Sequence, residues 1–359
     1  MTENIHVVYM RSDLSDEYNQ HTAASMVSVM EHCSKPVVFH IIHEEKISSN
    51  NPINLELNLI LFEELVSKYG AKILYHDANL TDGIERCMNP DALKRFPRIL
   101  LARIFLPELL PDVDCVVSLG TDVIVKTDLS KIIEFMSDED SCVASMDNWM
   151  LYVNHKNLDV FSNAYGEYAK KHGIKDDKYI CTDVAVFNLK YLRHRKILPM
   201  NALKYINKHN DILLGDQDII NAVLHDSIKI LPTQFMLTPY NPFSTEEYIE
   251  RAIIESHESN PQGYILHYAG GGKPWKGYYS KYDIEYWYYL SKTPWGDNGK
   301  VIELMSNVLK TSDEILSMPL QYIWSHTFKE KIRLLFNLSI GLWIGLFKQY
   351  WKRYITHEI

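Results

Sequence analysis

Three short clusters of the sequence combine side chains that could bind a divalent cation and a diphosphate. They are Leu119–Asp122, Gly215–Asp218 and the run His267–Trp275, which contains three glycines and a lysine. Carboxylates and an imidazole can hold Mg²⁺ or Mn²⁺, a glycine-rich turn lets the backbone approach phosphate, and a lysine neutralises a departing anion. The clusters therefore indicate chemistry at a diphosphate leaving group.

Each residue of these clusters also has an ordinary structural interpretation. Asp122 could cap backbone amides in a turn, His267 could be a hydrogen-bonded core residue, and Lys273 could be a solvated cation. The functional interpretation therefore depends on the clusters occurring together.

Alternating strand-like and helical segments would position the clusters. Hydrophobic periodicity predicts, in order, a strand at Ile5–Tyr9, a helix at about Thr22–His32, a strand at Pro36–Ile42, a helix at Leu55–Tyr69 and a strand at Lys72–Tyr75. It next predicts a helix at Pro97–Leu110, strands at Cys115–Leu119, Val123–Val125 and Val184–Phe187, a helix at Asp216–Leu224 and a strand at Tyr264–His267. This pattern predicts a mostly parallel sheet covered by helices, with ligands beyond the carboxyl ends of the strands.

Composition and charge exclude several classes of protein. With 46% hydrophobic and 23% charged residues in 359, the chain has globular composition and no long disorder is expected. The net charge of −9 argues against general nucleic-acid binding, which needs a basic surface. Five scattered cysteines without a CxxC pair indicate reduced thiols in a cytoplasm. The strand directly after Met1 predicts an N-terminus that belongs to the fold and is not a secretory signal.

The order of these motifs resembles the family 8 glycosyltransferases, retaining enzymes with the GT-A fold. The resemblance runs from about residue 4 to residue 275. It rests on the N-terminal strand with its acidic loop, Leu101–Arg103, Cys115–Asp128, Asn188–Lys190, Asp216–Ile219 and His267–Trp275. It implies an α/β fold of the GT-A type, with a Rossmann-like mixed, mostly parallel sheet, helices on both faces and a C-terminal helical extension.

The resemblance also implies roles for individual residues. Asp122 and His267 would be ligands of Mn²⁺ or Mg²⁺, and Gln217 would lie beside the anomeric carbon as a catalytic candidate together with Asp216. The donor-binding positions would be Asp13, Asp16, Arg103, Asp122, Asp147, Gly270 and Lys273.

Two positions depart from the family pattern. The acidic motif of the family is Asp-x-Asp, whereas this chain has Gly120 in place of the first carboxylate, which predicts weaker divalent affinity. The family has Asn-Ala-Gly where this chain has Cys181-Thr-Asp183. We therefore add Asp183 to the catalytic candidates, with the hypothesis that it reshapes the donor pocket or replaces part of the missing negative charge; the alternative is a surface aspartate.

Retaining transfer can proceed through a covalent glycosyl-enzyme or on one face of the sugar, with the leaving phosphate helping to deprotonate the acceptor. Gln217 is a poor nucleophile, which favours the same-face route with electrostatic stabilisation of the leaving group. Asp183 keeps a covalent route open.

The C-terminal tail has basic edges around an apolar centre. Residues 334–347 form an apolar run of about fourteen residues, whereas a helix that spans a bilayer needs about twenty. The flanking lysines, arginines and aromatic residues of 328–354 instead suit an interfacial helix on anionic lipid. The alternatives are a helix packed in the core and a dimerisation helix, and the second of these would make the protein a homo-oligomer.

We predict a GT-A catalytic domain at residues 1–276, an aromatic-rich helical extension at 277–325 and a membrane-associating tail at 326–359. The predicted function is retaining transfer of a hexose, from UDP-hexose as the leading donor, to a glycan or lipid-linked acceptor at the cytoplasmic membrane surface. The alternatives are a metal-independent transferase and a non-catalytic partner subunit, for which Gly120 and Asp183 are the evidence.

Overall fold

The computed structural model describes residues 4–79, 83–94, 96–147, 168–175, 178–239, 246–270, 272–277 and 280–296. The strands are β1 (Ile5–Arg11), β2 (Val37–His43), β3 (Lys72–Asp77), β4 (Cys115–Leu119), β5 (Val123–Thr127), β6 (Cys142–Met146), β7 (Ile180–Asn188), β8 (Ile228–Ile230) and β9 (Gly263–His267).

The α-helices are α1 (Asn19–His32), α2 (Glu45–Ser48), α3 (Pro52–Lys68), α4 (Pro90–Leu93), α5 (Leu106–Leu109), α6 (Leu129–Ile133), α7 (Leu189–Arg195), α8 (Met200–Ile206), α9 (Asp216–Leu224), α10 (Glu246–Glu258) and α11 (Asp283–Leu290). Residues 168–172 are also helical. Short 3-10 segments lie at Ile84–Cys87, Arg98–Phe105, His225–Ser227, Thr233–Phe235 and Pro294–Gly296.

The strands form a seven-stranded sheet in the order β3-β2-β1-β4-β7-β6-β8 and a two-stranded sheet of β5 and β9. Strand β1 is parallel to β2 and β4, β2 is parallel to β3, and β6 is parallel to β8. Strand β7 runs antiparallel to both of its neighbours. The predicted α/β class with a mixed, mostly parallel sheet is confirmed.

Helices cover both faces of the large sheet because its strands are apolar on both sides. In β1, Val7 and Tyr9 pack in a core layer with residues of α1 and α3. Val8 and Met10, which alternate with them, pack in a second layer with the segment Arg98–Phe105 and with α9. Because successive side chains of a strand point to opposite faces of the sheet, the apolar residues of β1 contribute alternately to the two core layers.

The helix predicted over Pro97–Leu110 is confirmed, but most of it is not an α-helix. Residues Arg98–Phe105 are a 3-10 helix, and only the short α5 follows. Pro107 has no N–H with which to bond the carbonyl of Arg103, and the N–H of Leu106 takes that carbonyl in a tighter turn. The side chain of Arg103 is thereby carried on a 3-10 helix.

Several elements are longer than the sequence predicts, and α1 and β7 are the two that matter for the site. Helix α1 begins at Asn19, not at about Thr22, and β7 covers Ile180–Asn188, not only Val184–Phe187. Polar residues interrupt the apolar pattern in both extensions, which is why periodicity alone does not find them. The longer β7 places Asp183 inside a strand next to β4.

Helix α11 belongs to the predicted aromatic extension and packs on α1. Tyr286 and Tyr289 are buried, and the hydroxyl of Tyr286 lies 2.6 Å from Nδ1 of His21. The rest of that extension from residue 297, and the whole predicted tail 326–359, lie outside the described residues. Among the described residues, no helix combines the length and apolarity that crossing a membrane would need.

Candidate active site

The turn Gly120–Asp122 joins β4 to β5 and lies against the ends of two other strands. Strand β5 pairs with β9 so that Val123 is opposite His267, and the N–H of Tyr268 donates to the carbonyl of Asp122 at 3.0 Å. This pairing places the imidazole that ends β9 beside the carboxylate that precedes β5.

The same turn is bonded to β7. Leu119 is opposite Val184, and the N–H of Gly120 donates to the carbonyl of Asp183 at 2.8 Å. Two of the three sequence clusters and the unexpected Asp183 therefore meet at one edge of the sheets.

A carboxylate–imidazole group occupies this edge. Nε2 of His267 lies 3.5 Å from Oδ1 of Asp122 and 3.8 Å from Oδ2 of Asp183. The other ring nitrogen, Nδ1, lies 3.8 Å from Sγ of Cys181. His267 is 4% exposed, so its ring has a fixed orientation with Nε2 toward the two acids.

Lys273 closes the turn that follows β9. Its ammonium group pairs with Oδ2 of Asp122 and donates to the carbonyl of Tyr268 at 2.6 Å. The chain reverses at Gly270, whose φ of +76° is a backbone conformation that glycine adopts without strain. The glycine-rich run therefore returns a lysine to the carboxylate at which the turn begins.

Charge pairing sets the protonation states of these groups. Burial would raise the pKa of Asp122, but Lys273 and His267 outweigh burial and lower it. Burial would lower the pKa of His267, but Asp122 outweighs burial and raises it. The pKa of Lys273 is also raised, because Asp122 outweighs its desolvation. Asp122 is therefore ionised near neutral pH and Lys273 is positively charged.

Arg103 is the centre of a second group of buried polar contacts, which includes Asp183 and Asp216. Its guanidinium is 2% exposed, pairs with Asp183 and donates to Oδ2 of Asp216 at 2.7 Å. It also donates to the hydroxyls of Ser118 at 3.0 Å and Thr182 at 3.2 Å. One buried cation thus binds four acceptors that come from two strands, β4 and β7, and from the helix α9.

Asp216 is as deeply buried as its partner. Its side chain is 2% exposed, and Oδ2 accepts hydrogen bonds from Arg103 and from the Thr182 hydroxyl. Burial raises the pKa of Asp216, which Arg103 counteracts. In this structure Asp216 fixes the start of α9; direct contact with a substrate stays a prediction.

Gln217 lies beside this network with its amide turned toward β7 and Asp147. Oε1 accepts from the N–H of Thr182 at 3.3 Å, and Nε2 donates to Oδ2 of Asp147 at 3.4 Å and to the hydroxyl of Tyr179 at 3.3 Å. Gln217 and Asp147 are therefore in direct contact, and Thr182 links them through Asp216 and Arg103 to Asp183.

Asp13 and Asp16, the two acids of the N-terminal loop, form hydrogen bonds and an ion pair with nearby residues of the same loop. The carboxylate of Asp13 accepts from the N–H and hydroxyl of Ser15, both at 2.7 Å. Asp16 pairs with the buried Arg11 and accepts from the N–H of Tyr18 at 2.9 Å. The structure thus shows them shaping the loop, and their predicted contact with a donor stays a prediction.

Aromatic residues that sequence reasoning missed support the glycine-rich turn. The ring of His21 stacks on Trp275 with centroids 3.7 Å apart at 15°, and Tyr18 meets the same indole edge-on at 5.8 Å. Burial raises the pKa of Tyr18, and the nearby Asp122 adds to the rise. Trp275, which ends the run, was the feature of the sequence that could have predicted this contact. A large indole at the end of a turn is stabilised when other side chains cover it.

The donor set at this edge fits a hard divalent cation. Asp122 supplies carboxylate oxygen and His267 supplies Nε2, and a carboxylate oxygen of Asp183 lies 3.8 Å from the same nitrogen. Among the described residues, these three do not form a group whose ligand atoms all lie within 4.8 Å, so the protein offers two adjacent ligands and a more distant third. Such an incomplete set leaves coordination positions for substrate oxygens.

Asp183 fills the space in front of Gly120. A Cβ atom added at Gly120 would lie 3.1 Å from Cβ and 3.3 Å from Cγ of Asp183, and 2.6 Å from Oδ1 of Asp122. A side chain at position 120 and the carboxylate at position 183 therefore compete for the same volume. The two departures from the family pattern are therefore neighbours in space, and that Asp183 replaces part of the missing charge stays a prediction.

Comparisons with known proteins agree with this geometry. The family model described as Glycosyl transferase family 8 matches residues 9–278. A putative glycosyltransferase of Haemophilus influenzae is 20% identical over 230 residues, which are 62% of this chain and 61% of that protein. The probable galacturonosyltransferase 14 of Arabidopsis thaliana is 30% identical over 145 residues, 31% of this chain and 27% of that protein. The chain thus spans less than two thirds of the length of both curated relatives.

Solved structures share the fold. The bifunctional glycosyltransferase WbbM superposes with a TM-score of 0.66 at 20% identity, covering 86% of this chain and 52% of that chain. The galactosyltransferase LgtC, solved with donor and acceptor sugar analogues, has a TM-score of 0.56 at 20% identity and covers 81% of this chain and 96% of that chain. The predicted GT-A fold is confirmed. Because the family model covers most of the chain and the motifs that it shares meet at one sheet edge, the chain belongs to glycosyl transferase family 8.

Proposed function

We propose that this protein transfers a hexosyl group from a nucleotide sugar, with UDP-hexose as the leading donor, to a glycan or glycolipid acceptor with retention of configuration. The observation that carries the proposal is the convergence of Asp122, His267 and Lys273 at one edge, next to the polar group that contains Gln217. Asp122, His267 and Lys273 could bind a diphosphate and its cation, and the amide of Gln217 could form a hydrogen bond with a sugar hydroxyl. Family membership supports the reaction class.

Different charged residues would bind the cation, neutralise the leaving group and position the neighbouring acids. A bound Mn²⁺ or Mg²⁺ would neutralise the departing diphosphate. Asp122 and His267 would hold the cation, and Lys273 would add a positive charge from the turn after β9. Arg103 would act indirectly, by fixing the two acids that border the sugar side.

The contacts of Asp183 favour binding over nucleophilic attack. Oδ1 is paired with Arg103 and Oδ2 faces His267 at 3.8 Å, so the carboxylate is already stabilised by two partners. The amide of Gln217 is a poor nucleophile. We therefore favour departure and attack on one face of the sugar, with the leaving phosphate helping to deprotonate the acceptor.

The test is a panel of nucleotide sugars assayed for hydrolysis and transfer with Mn²⁺, Mg²⁺ or EDTA. We expect turnover of one donor that EDTA abolishes, with an α-linked donor giving an α-linked product by NMR. Turnover that survives EDTA would contradict the metal assignment, and an inverted product would contradict retention. No turnover together with no nucleotide binding in calorimetry would overturn the proposed function.

Replacing His267 by Gln should weaken metal use without removing the site. Asp122 remains, so we expect the Mn²⁺ affinity to fall about tenfold to a hundredfold, because one nitrogen ligand is lost from an incomplete set. The measurement is kcat as a function of Mn²⁺ concentration. Activity should return as Mn²⁺ is raised. An unchanged Mn²⁺ dependence would exclude His267 as a ligand.

We propose further that the basic and aromatic segment 328–354 holds the enzyme at the cytoplasmic face of an anionic membrane, where a lipid-linked acceptor is available. Deleting 326–359 is expected to abolish sedimentation with vesicles that contain phosphatidylglycerol, while donor hydrolysis in solution is kept. Replacing the segment's lysines and arginines by glutamine is the matched control for charge. Equal sedimentation of the deleted protein would contradict the assignment, and a dimer-to-monomer change on deletion would indicate a dimerisation helix.

A further inference from the structure

Two histidines and one aspartate form a second polar cluster away from the candidate active site. The ligand atoms of His172, His209 and Asp211 all lie within 4.8 Å of one another. Nε2 of His172 lies 3.0 Å from Oδ1 of Asp211, and the rings of His172 and His209 are 4.4 Å apart between centroids. No residue of this cluster belongs to the sequence motifs that define the donor site.

The ring of His172 is held in place by its surroundings. His172 is 2% exposed, and its Nδ1 lies 3.2 Å from the hydroxyl of Tyr205. The ring of Tyr168 stacks on the imidazole, with the ring centroids 4.1 Å apart. Although Nε2 is close to Asp211, it has no hydrogen bond among the described residues. A buried polar nitrogen without a hydrogen-bond partner is rare in folded proteins. A bound metal ion at Nε2 would explain this one.

We propose that His172, His209 and Asp211 bind a late first-row divalent cation such as Zn²⁺. Two imidazoles and one carboxylate are a donor set that suits Zn²⁺, Ni²⁺ or Cu²⁺, whereas Mg²⁺ and Mn²⁺ prefer oxygen. Tyr205 supplies the contact to the second ring nitrogen that orients a metal-binding histidine. Lys171 pairs with Oδ2 of Asp211, which leaves Oδ1 on the side of His172.

The position of the cluster gives the cation a structural role. The hydroxyl of Tyr168, one turn before His172, donates to Oδ2 of Asp218 at 2.7 Å and accepts from the N–H of Leu213 at 2.9 Å. The N–H of Leu214 donates to the same carboxylate oxygen at 2.9 Å. A cation would therefore join helical residues 168–172 to the segment that leads into α9, where Gln217 lies. We expect bound Zn²⁺ to stabilise this junction.

The test measures Zn²⁺ binding in the full-length His267→Ala variant, which removes the nitrogen ligand of the donor site. Equilibrium dialysis with elemental analysis should give one Zn²⁺ per chain, and the melting temperature should rise on Zn²⁺ addition but not on Mg²⁺ addition. Adding His209→Ala should lower the Zn²⁺ affinity about tenfold or more, because one of three protein ligands is lost. His209 is less buried than His172, which makes its replacement the milder change.

The matched control is His225→Ala. His225 and Asp226 also form a close pair, with Nδ1 and Oδ1 3.0 Å apart, but the described residues supply no third ligand there. Zn²⁺ binding that is unaffected by His209→Ala, or that falls equally with His225→Ala, would overturn the site, as would no binding at all. These outcomes leave the proposed transferase reaction intact, since that reaction is assayed on the wild-type protein and depends on Asp122, His267 and Lys273, which lie outside this cluster.

Discussion

Replacing Asp183 by glycine is expected to lower kcat/KM for the sugar donor by about a hundredfold to a thousandfold, the loss typical when one preorganised charged group is removed from an active site. The carboxylate links the two halves of the site, since Oδ1 pairs with Arg103 and Oδ2 faces His267 at 3.8 Å. Its loss removes negative charge from the metal side and a partner from Arg103. The measurement is donor kinetics as a function of Mn²⁺ concentration.

The reciprocal exchange is the sharper experiment. A side chain at position 120 would approach Cβ of Asp183 to 3.1 Å, so Gly120→Asp alone should be inactive or poorly folded. In the Asp183→Gly background the contacts with Asp183 are gone, and the close contact that remains, 2.6 Å to Oδ1 of Asp122, is with the end of a side chain that can shift. The double variant Gly120→Asp/Asp183→Gly should therefore recover at least about tenfold of the activity lost by Asp183→Gly, because the missing carboxylate returns to the same space.

The controls separate charge from volume. Gly120→Ala/Asp183→Gly fills part of the space without a carboxylate and should recover nothing. If the double aspartate exchange is no more active than Asp183→Gly, the two positions do not share one function and Asp183 has a role of its own. If Asp183→Gly itself is as active as the wild type, the surface interpretation of Asp183 is correct.

The sequence was sufficient for five of the seven strands of the large sheet and for the order of the motifs, because these follow from short-range patterns, but it did not predict β6 or β8. Strand β4 has the predicted bounds Cys115–Leu119, and α9 has the predicted bounds Asp216–Leu224. An apolar run between polar turns and an acidic first turn fix these elements locally. The same reasoning does not give the helix type at Arg98–Phe105, which is a 3-10 helix that ends two residues before Pro107.

The contacts within the site could not be predicted, because they depend on pairing between distant strands. That Asp183 occupies the volume in front of Gly120 follows from the antiparallel register of β4 and β7, and the sequence gives no sign of the direction of β7. The stacking of His21 on Trp275 likewise joins α1 to a turn about 250 residues later. Residue types predict the kind of chemistry, whereas the pairing of distant strands determines which of those residues lie together.

Arg103→Met is expected to abolish measurable transfer and to lower the free energy of unfolding by about 3–5 kcal/mol, the cost of leaving a buried charge without its partner. Asp216 is 2% exposed and has Arg103 and the Thr182 hydroxyl on the same oxygen. Methionine fills much of the volume but offers no hydrogen bond. Urea denaturation and donor kinetics measure the two effects.

The pH dependence identifies the cause of that loss. Burial already raises the pKa of Asp216, and removing Arg103 removes the main influence that lowers it. A carboxyl whose folded pKa lies above its unfolded value stabilises the fold below the unfolded pKa and loses that contribution as pH rises through the folded pKa. The stability deficit of Arg103→Met relative to wild type should therefore be largest at pH 7 and shrink as the pH falls to 5.

A second substitution separates stability from function. In Arg103→Met/Asp216→Asn the unpaired buried charge is gone, so most of the stability should return, while transfer should stay absent because neither Asp183 nor the start of α9 is held. Arg103→Lys keeps a charge but reaches fewer acceptors and should fall between the two. If the double variant regained activity together with stability, Arg103 would be needed only for folding, and its position between the two halves of the site would have no part in transfer.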